Sequence, residues 1–199
     1  VAGSGKTEVY FEAISKCISK KKQVLVLLPE ISMTAQWFDR FKKRFKTKPL
    51  LWHSDVKVSE KIKIWKSIID GSTNVVVGAR SALFLPFKNL GLIIIDEEHD
   101  QSFKQEEGVI YNARDMAIVR AKLTNIPIIL CSATLSIETK LNVLEKKYEV
   151  IKLKNRYGEA GLPNIKIIDL VKNPPEKGMW LSEEVHEELK KNITNGNQA

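Results

Sequence analysis

Helical patterns alternate with short apolar runs along most of this 199-residue chain. The helical patterns place apolar residues every three or four positions, and the runs between them have the length of buried strands. Apolar strands separated by helices are typical of an α/β fold in which helices cover both faces of a mostly parallel sheet. We therefore expect strands at Gln23–Leu28, Leu50–His53, Val75–Val77, Leu92–Ile95, Ile126–Leu130 and Tyr148–Leu153. The expected helices are Glu8–Lys20, Met33–Phe45, Glu60–Ile69, Asn112–Leu123, Ile137–Leu144 and Glu183–Ile193.

The composition excludes several classes of protein. Hydrophobic residues make up 43% of the chain and charged residues 28%, which is too apolar for a disordered chain and sufficient for a core. The two cysteines, Cys17 and Cys131, are too few for a disulfide framework or a cysteine-based metal site. No apolar run approaches the roughly 18 residues that span a bilayer, so we expect a cytoplasmic protein. The net charge of +8 favours a polyanionic partner such as nucleic acid.

The chain begins inside a pattern that binds phosphate. The run Gly3-Ser4-Gly5-Lys6-Thr7 matches the end of G-x-x-x-x-G-K-[ST], whose first glycine and preceding strand would lie before the first residue. We therefore expect a fragment of a longer protein, lacking the first strand of its sheet. In this pattern backbone N–H groups surround the phosphates, Lys6 reaches the β- and γ-phosphates, and the Thr7 hydroxyl binds Mg²⁺. The alternative is an ordinary glycine-rich turn.

A second pattern places acids at the end of an apolar strand. The run Leu92–Ile95 is followed by Asp96-Glu97-Glu98-His99, so the carboxylates would emerge at the carboxyl edge of the sheet, where ligands bind in such folds. Asp96 would hold Mg²⁺, and Glu97 would orient or deprotonate an attacking water. For an isolated acid cluster the alternative is a solvated turn. Together with the phosphate-binding pattern, however, the cluster predicts Mg²⁺-dependent binding of a nucleoside triphosphate.

The order of further motifs resembles that of the superfamily 2 helicases. Asp96-Glu97-Glu98-His99 is similar to their motif II, and Ser132-Ala133-Thr134, after a strand, is similar to their motif III. The segments 29–34 and 78–84 match the positions of motifs Ia and Ib. Within that superfamily the chain most resembles the primosomal replication-restart helicases, the protein N′ family. The segment Tyr111-Asn112-Ala113-Arg114-Asp115 is among those that carry this closer resemblance.

The resemblance implies a RecA-like lobe that uses ATP and Mg²⁺. It assigns residues 1–154 to the first, ATP-binding motor lobe and residues 155–199 to an exit segment leading to a second lobe outside this chain. It also implies a zinc-binding cysteine cluster and an arginine finger, both outside this chain. The parent protein would couple ATP hydrolysis to 3′-to-5′ unwinding of single-stranded or forked DNA in replication restart. Primosome proteins and single-strand-binding proteins would be its partners.

The resemblance also implies which residues couple hydrolysis to lobe movement. Ser132 and Thr134 would carry this coupling, and His99 would link the catalytic strand to them. For His99 the alternative is a loop histidine with a local hydrogen bond. For Ser132 and Thr134 the alternative is a helix cap before Ile137, because serine and threonine favour that position.

Five residues are candidates for contact with DNA. Thr34, near a helix start, and Arg80 and Ser81, after a strand, could bind phosphate oxygens. Phe103 and Tyr111 could stack on bases, since the resembling family uses an aromatic-rich loop at this position to couple DNA binding to ATP hydrolysis. The alternative is that both aromatic side chains pack the loop.

Two other functions stay open from the sequence. The chain could be a non-catalytic remnant of a split helicase gene, or the motor lobe of another superfamily 2 DNA translocase. As a fragment without an arginine finger, it is expected to bind Mg²⁺·ATP weakly and to hydrolyse it very slowly. Loss of such a finger lowers the rate by about 10³–10⁵-fold in enzymes that use one.

Overall fold

The computed structural model describes residues 4–29, 32–155 and 165–196. Contacts between Cα atoms divide the chain into two units, residues 1–159 and 160–199. The strands of the first unit are β1 (Gln23–Leu27), β2 (Leu50–Trp52), β3 (Val75–Gly78), β4 (Leu90–Ile95), β5 (Lys104–Gln105), β6 (Tyr111–Asn112) and β7 (Ile128–Leu130). Its α-helices are α1 (Lys6–Ser19), α2 (Ala35–Phe45), α3 (Val58–Asp70), α4 (Ala113–Leu123) and α5 (Ile137–Leu144). Short 3-10 helices cover Arg80–Phe84 and Gln101–Phe103.

Five strands form one parallel sheet in the order β2-β3-β1-β4-β7. The central strand, β1, pairs with β3 on one side and with β4 on the other, and Leu27 lies opposite both Gly78 and Ile95. On the far side of β4, Ile95 lies opposite Leu130 of β7. Every residue of β1 is buried, as expected of a strand covered on both faces. The predicted α/β fold with a mostly parallel sheet is therefore confirmed.

Alternate residues of the strands pack into two separate cores. On one face, Leu25, Ile93 and Ile95 pack with the buried sides of α3 and α4. On the other face, Val24, Val26 and Ile94 pack with α1 and α2. This second core holds an aromatic cluster whose members pack mostly edge to face, a favoured arrangement for aromatic rings. Its members are Tyr10, Phe11, Trp37, Phe38, Phe41 and Phe45.

Polar side chains fix the starts of several helices. The side chains of Thr34, Asn112 and Ser136 accept hydrogen bonds from backbone N–H groups in the first turns of α2, α4 and α5. Such caps satisfy N–H groups that have no partner inside the helix. At the C-terminal end of α3, Gly71 adopts φ +81°, the left-handed conformation that commonly ends a helix.

Within the described ranges, no helix has the length and apolar character needed to cross a membrane.

The segment Tyr148–Leu153 has no strand structure, so the prediction of a sixth strand there is wrong. Ile151 is 83% exposed, and none of the seven described strands pairs with this segment. Its apolar residues fit the pattern of a strand, but a strand also needs a hydrogen-bonding neighbour. Conversely, the sequence did not predict the antiparallel hairpin of β5 and β6, whose strands have two residues each.

The second unit contains one described helix, α6 (Glu183–Thr194), which begins and ends within a residue of the predicted helix. Ser182 precedes the helix and is buried, whereas Trp180 is 95% exposed. Lys166 and Glu184 form an ion pair within this unit. The predicted boundary between a lobe at 1–154 and an exit segment at 155–199 stays a prediction.

Gly78 gives a test of how tightly β3 packs. A Cβ atom there would lie 2.5 Å from the Trp52 carbonyl oxygen and 2.6 Å from the Ala82 Cβ. Because one neighbour is the backbone of β2 and the other lies in the packed 3-10 helix after β3, we expect Gly78→Ala to lower the free energy of unfolding by about 1–3 kcal/mol. Urea unfolding of the 199-residue chain would measure the loss. Thr47→Ala, at an exposed position, is the control, and equal stability of both variants would contradict this packing.

Candidate functional site

The start of α1 exposes backbone N–H groups that suit an anion. Gly5 adopts φ +84° and caps the helix, and its carbonyl oxygen accepts from the N–H groups of Glu8 and Val9 at 3.0 and 3.2 Å. Glycine has no side chain that could accept hydrogen bonds from the first turn of α1. The other N–H groups of that turn are therefore available to a bound phosphate. The Ser4 hydroxyl oxygen is buried and has no partner among the described residues. Gly3, also predicted to bind phosphate, lies outside the described residues.

Asp96 follows the last residue of β4 and is buried. Its Oδ2 accepts from the Tyr10 hydroxyl at 2.9 Å, and its Oδ1 accepts from Glu97 N at 3.0 Å. The Trp37 indole Nε1 donates to the same Tyr10 hydroxyl at 2.6 Å. Burial raises the pKa of the Asp96 carboxyl, and the hydrogen bond from Tyr10 partly opposes this. The aspartate is therefore held in one orientation by an aromatic pair from α1 and α2.

Glu97 lies between Lys6, the first residue of α1, and His99. Its Oε1 is 3.1 Å from Lys6 Nζ, and its Oε2 is 3.6 Å from His99 Nδ1. The Lys6 side chain is 18% exposed and that of Glu97 33%, so water weakens this pair less than it would a fully exposed one. Residues 91 positions apart in the sequence are thus brought together by the parallel sheet.

His99 also contacts the loop that follows β7. Its Nδ1 lies 2.7 Å from the Ser132 hydroxyl oxygen, which in turn accepts from Thr134 N at 3.1 Å. The cap of α5 is Ser136, which accepts from Thr139 N, so Ser132 and Thr134 are not the helix cap considered as an alternative. The structure thus brings His99, Ser132 and Thr134 together beside Glu97.

Three candidates for DNA contact lie at helix starts, Thr34 before α2 and Arg80 and Ser81 in the 3-10 helix after β3. Thr34 is exposed, and its hydroxyl accepts from Trp37 N at 3.3 Å, which caps α2. Arg80 donates from Nη1 to the Lys104 carbonyl oxygen at 2.7 Å, which ties the 3-10 helix after β3 to the hairpin of β5 and β6. Ser81 is exposed on that 3-10 helix. A groove beside Arg80 is lined by Gln101, Lys104, Gln105, Glu106 and Glu107.

The two aromatic candidates differ in their surroundings. Phe103 is 1% exposed and packs in the core against α4. The prediction that Phe103 stacks on bases is therefore wrong, and the alternative, that its side chain packs the loop, is correct. The 3-10 helix at Gln101–Phe103 turns the ring inward. Tyr111 is half-buried, and its ring meets that of Phe84 edge to face at 5.3 Å. Phe84 is 56% exposed, a feature that the sequence prediction did not single out.

The sequence prediction missed three residues around Asp96. Tyr10 and Trp37 fall within predicted helices, but the helical pattern does not indicate that their polar atoms support Asp96. Cys131, at the end of β7, also lies close to the site. Burial raises the pKa of its thiol to about 12, and the charge of Asp96 adds to this effect. The Cys131 thiol is therefore an uncharged group beside Asp96.

The oxygen atoms at the site fit a hard divalent cation bound together with phosphate. Mg²⁺ is commonly held by one or two protein oxygens and completed by phosphate and water. The candidates are the Asp96 carboxylate and the Thr7 hydroxyl, and both lie beside Tyr10. Within the described residues, no group of three or more His, Cys, Asp or Glu side chains could hold a metal ion alone.

Comparison of the sequence with known proteins gives consistent matches. A model of the DEAD/DEAH box helicase family matches residues 1–143. The replication restart protein PriA of Rickettsia felis is 50% identical over 199 residues, which are 100% of this chain and 31% of that protein. PriA of Bacillus subtilis is 42% identical over 202 residues and matches 100% of this chain and 25% of that protein. The chain thus spans well under half of the length of these relatives.

Solved structures share the fold. The crystal structure of the DUF1998 helicase MrfA bound to DNA and AMPPNP superposes with a TM-score of 0.61 at 18% identity, over 97% of this chain and 29% of that one. The structure of the same helicase bound to DNA gives a TM-score of 0.51 at 19% identity, over 70% of this chain and 22% of that one. At these identities the likeness concerns the fold alone. It confirms the predicted RecA-like lobe.

Tyr10→Phe tests whether the aromatic pair supports Asp96. The change removes the hydroxyl that donates to Asp96 and accepts from Trp37, and it leaves two buried polar atoms without this partner. We expect the free energy of unfolding to fall by about 1–3 kcal/mol, measured by urea unfolding. Tyr148→Phe is the matched control, because the half-buried Tyr148 makes no side-chain hydrogen bond within the described part of the chain. A loss no larger than in the control would contradict the arrangement.

Proposed function

The chain belongs to the DEAD/DEAH box helicase family, and we propose that it is the ATP-binding motor lobe of a DNA helicase that acts in replication restart. The family assignment agrees with the resemblance drawn from the motifs. Relatives from Rickettsia felis and Bacillus subtilis are named replication restart proteins, which supports the proposed role. Since the chain spans 31% and 25% of those two proteins, unwinding in the 3′-to-5′ direction is proposed for a complete helicase that contains this lobe.

The observation that carries the proposal is the approach of Lys6 to Glu97 beside Asp96. A cation on the phosphate loop, a buried aspartate and a second carboxylate meet at the carboxyl edge of one parallel sheet. The first turn of α1, to which no side chain is hydrogen-bonded as a cap, and the buried Ser4 hydroxyl both suit a bound phosphate chain. These features support a nucleoside triphosphate with Mg²⁺, and the helicase family match supports ATP as that nucleotide, with Gly3, Ser4 and Gly5 as further proposed contacts.

Each residue then has a distinct task. Bound Mg²⁺·ATP would supply the phosphoanhydride bond and the cation that neutralises developing charge. Thr7 and Asp96 would hold the cation through oxygen atoms, and Lys6 would neutralise the terminal phosphates. Glu97 would orient a water molecule and accept its proton. Because Glu97 contacts both Lys6 and His99, its carboxylate already lies between the phosphate loop and the loop after β7.

The same lobe would grip DNA and transmit hydrolysis to movement. Arg80 and Ser81 after β3, Thr34 before α2 and Tyr111 in the hairpin are the proposed DNA contacts, through phosphate oxygens or base stacking. The chain of contacts from Glu97 through His99 to Ser132 supports a coupling role for His99, Ser132 and Thr134. Primosome and single-strand-binding proteins are proposed as partners of the complete helicase.

Lys6→Ala tests the nucleotide site in the chain itself. Ligand that binds the folded state alone raises stability by RT ln(1 + [L]/Kd), which is about 2.7 kcal/mol at 100 times Kd. For a chain of this size, that corresponds to a rise of roughly 5–10 °C in the melting temperature with Mg²⁺·ATP. We expect Lys6→Ala to abolish the rise and Lys16→Ala, at the last turn of α1, to retain it. Equal shifts in both variants would exclude Lys6 as a phosphate contact.

Glu97→Gln tests the catalytic assignment in a complete helicase that carries this lobe. Loss of a general base typically lowers the rate by about 10²–10⁴-fold, and we expect steady-state ATP hydrolysis to fall by this factor. Nucleotide affinity should stay the same or rise, because the neutral glutamine no longer holds Lys6 in an ion pair. Glu60→Gln, on the exposed side of α3, is the control. Hydrolysis retained in Glu97→Gln would mean that another group activates the water.

A further inference from the structure

A buried ion pair lies directly behind the candidate catalytic turn. Glu98, the residue after Glu97, is 1% exposed, and Arg114 of α4 is 6% exposed. Arg114 Nη1 lies 3.3 Å from Glu98 Oε2. Both side chains belong to motifs of the sequence, yet neither is used by the proposed chemistry. Because a buried charge is costly unless it is paired and hydrogen-bonded, the two side chains have few alternative positions.

The pair also holds the start of α5. Glu98 Oε1 accepts from Ser136 N at 2.8 Å, and Oε2 accepts from the hydroxyls of Ser136 and Thr139 at 3.0 and 2.9 Å. Arg114 Nη1 donates to the Ser136 hydroxyl oxygen at 2.7 Å. The start of α5 is therefore hydrogen-bonded to Glu98, the residue that follows Glu97.

The backbone of the catalytic turn is fixed from the same side. Glu97 has φ +50°, a left-handed conformation that a residue with a Cβ atom adopts at a cost. Glu98 N donates to the Cys131 carbonyl oxygen at 3.0 Å, and Asp100 N donates to the Glu97 carbonyl oxygen at 2.8 Å. With the Glu98 carboxylate held as well, the turn keeps Glu97 directed toward Lys6.

The other end of the network reaches the hairpin of β5 and β6. Asn112, the last residue of β6, caps α4 by accepting from Arg114 N at 3.0 Å. Lys104, its partner across the hairpin, accepts through its carbonyl oxygen from Arg80. Two of the proposed DNA contacts, Arg80 and Tyr111, are thus connected to Arg114 through a few backbone and side-chain bonds.

We propose that Glu98 and Arg114 are positioning residues that connect this hairpin to the turn carrying Glu97. A shift of the hairpin on DNA contact would move the first turn of α4, and the ion pair would pass that shift to Glu97 and to Ser136. The proposal rests on the function proposed above. Neither side chain touches the nucleotide site; both act through the backbone of the turn and the start of α5.

Arg114→Lys is the informative variant, because it keeps the positive charge and removes the planar fork that reaches several acceptors at once. Gln23→Met is the matched control. Gln23 is 2% exposed, its Nε2 donates to the carbonyl oxygens of Ile68 and Thr73, and its Oε1 accepts from Asn89 N. It lies at the amino end of β1, the opposite edge of the sheet from Glu97. Loss of its bonds lowers stability without touching the network.

Hydrogen exchange of the 199-residue chain tests the mechanical connection. We expect Arg114→Lys to speed exchange about tenfold or more at the amides of Glu98, Asp100, Ser136 and Thr139, which donate hydrogen bonds in this network, while β1 and β3 stay protected as in the unsubstituted chain. Gln23→Met should not produce this local change. Unchanged exchange at the turn, or an equal increase throughout the sheet, would overturn the proposal.

Steady-state kinetics of a complete helicase with this lobe test the functional consequence. Arg114→Lys should lower DNA-stimulated kcat about tenfold or more, with KM for ATP and Kd for single-stranded DNA changed less than about twofold. Full stimulation in Arg114→Lys, or an equal loss in Gln23→Met, would overturn the proposal. If the unsubstituted helicase shows no DNA-stimulated hydrolysis, the proposed function fails instead, and the exchange comparison alone decides whether the pair holds the turn.

Discussion

The parallel pairing of β1, β4 and β7 is the constraint on which the site depends. Parallel strands run in one direction, so their last residues share one edge of the sheet. Ile95 lies between Leu27 and Leu130 in the register, so the residues that follow, Asp96 and Cys131, lie side by side. With α1 packed against the same strands, Lys6 reaches the acids across the edge. A slip of register would separate these groups while leaving the core apolar.

The sheet and most helices could be predicted because burial on both faces leaves a clear mark in the sequence. Runs such as Val24–Leu28 and Leu92–Ile95 have no exposed face, so they contain no alternating polar residues. The candidate site residues at the start of α1 and after β4 could be proposed because nucleotide chemistry requires particular residue types at fixed spacing. The segment Tyr148–Leu153 also has the apolar residues of a short strand, but strand pairing is a non-local property that a local pattern does not contain.

The different surroundings of neighbouring residues of the same type could not be predicted from the sequence. Glu97 and Glu98 are adjacent and identical, yet one faces Lys6 at the site and the other is buried between α4 and α5. The conformation at Glu97, with φ +50°, separates the two side chains, and residue spacing does not reveal it. Similarly, Phe103 is a loop aromatic by position, but a single turn of 3-10 helix buries its ring. Such outcomes depend on local backbone geometry, which residue spacing does not contain.

The hairpin of β5 and β6 is anchored at both ends, by the buried Phe103 before it and the buried Ala113 after it. The tip between these anchors is exposed, including Val109 at 76% and Ile110 at 72%. Loop length costs little entropy, and exposed tips accept inserted residues most readily. Residues added or deleted at this tip would therefore change the length of the hairpin while both buried anchors stay in place. The hairpin tip can therefore vary in length at small cost to stability.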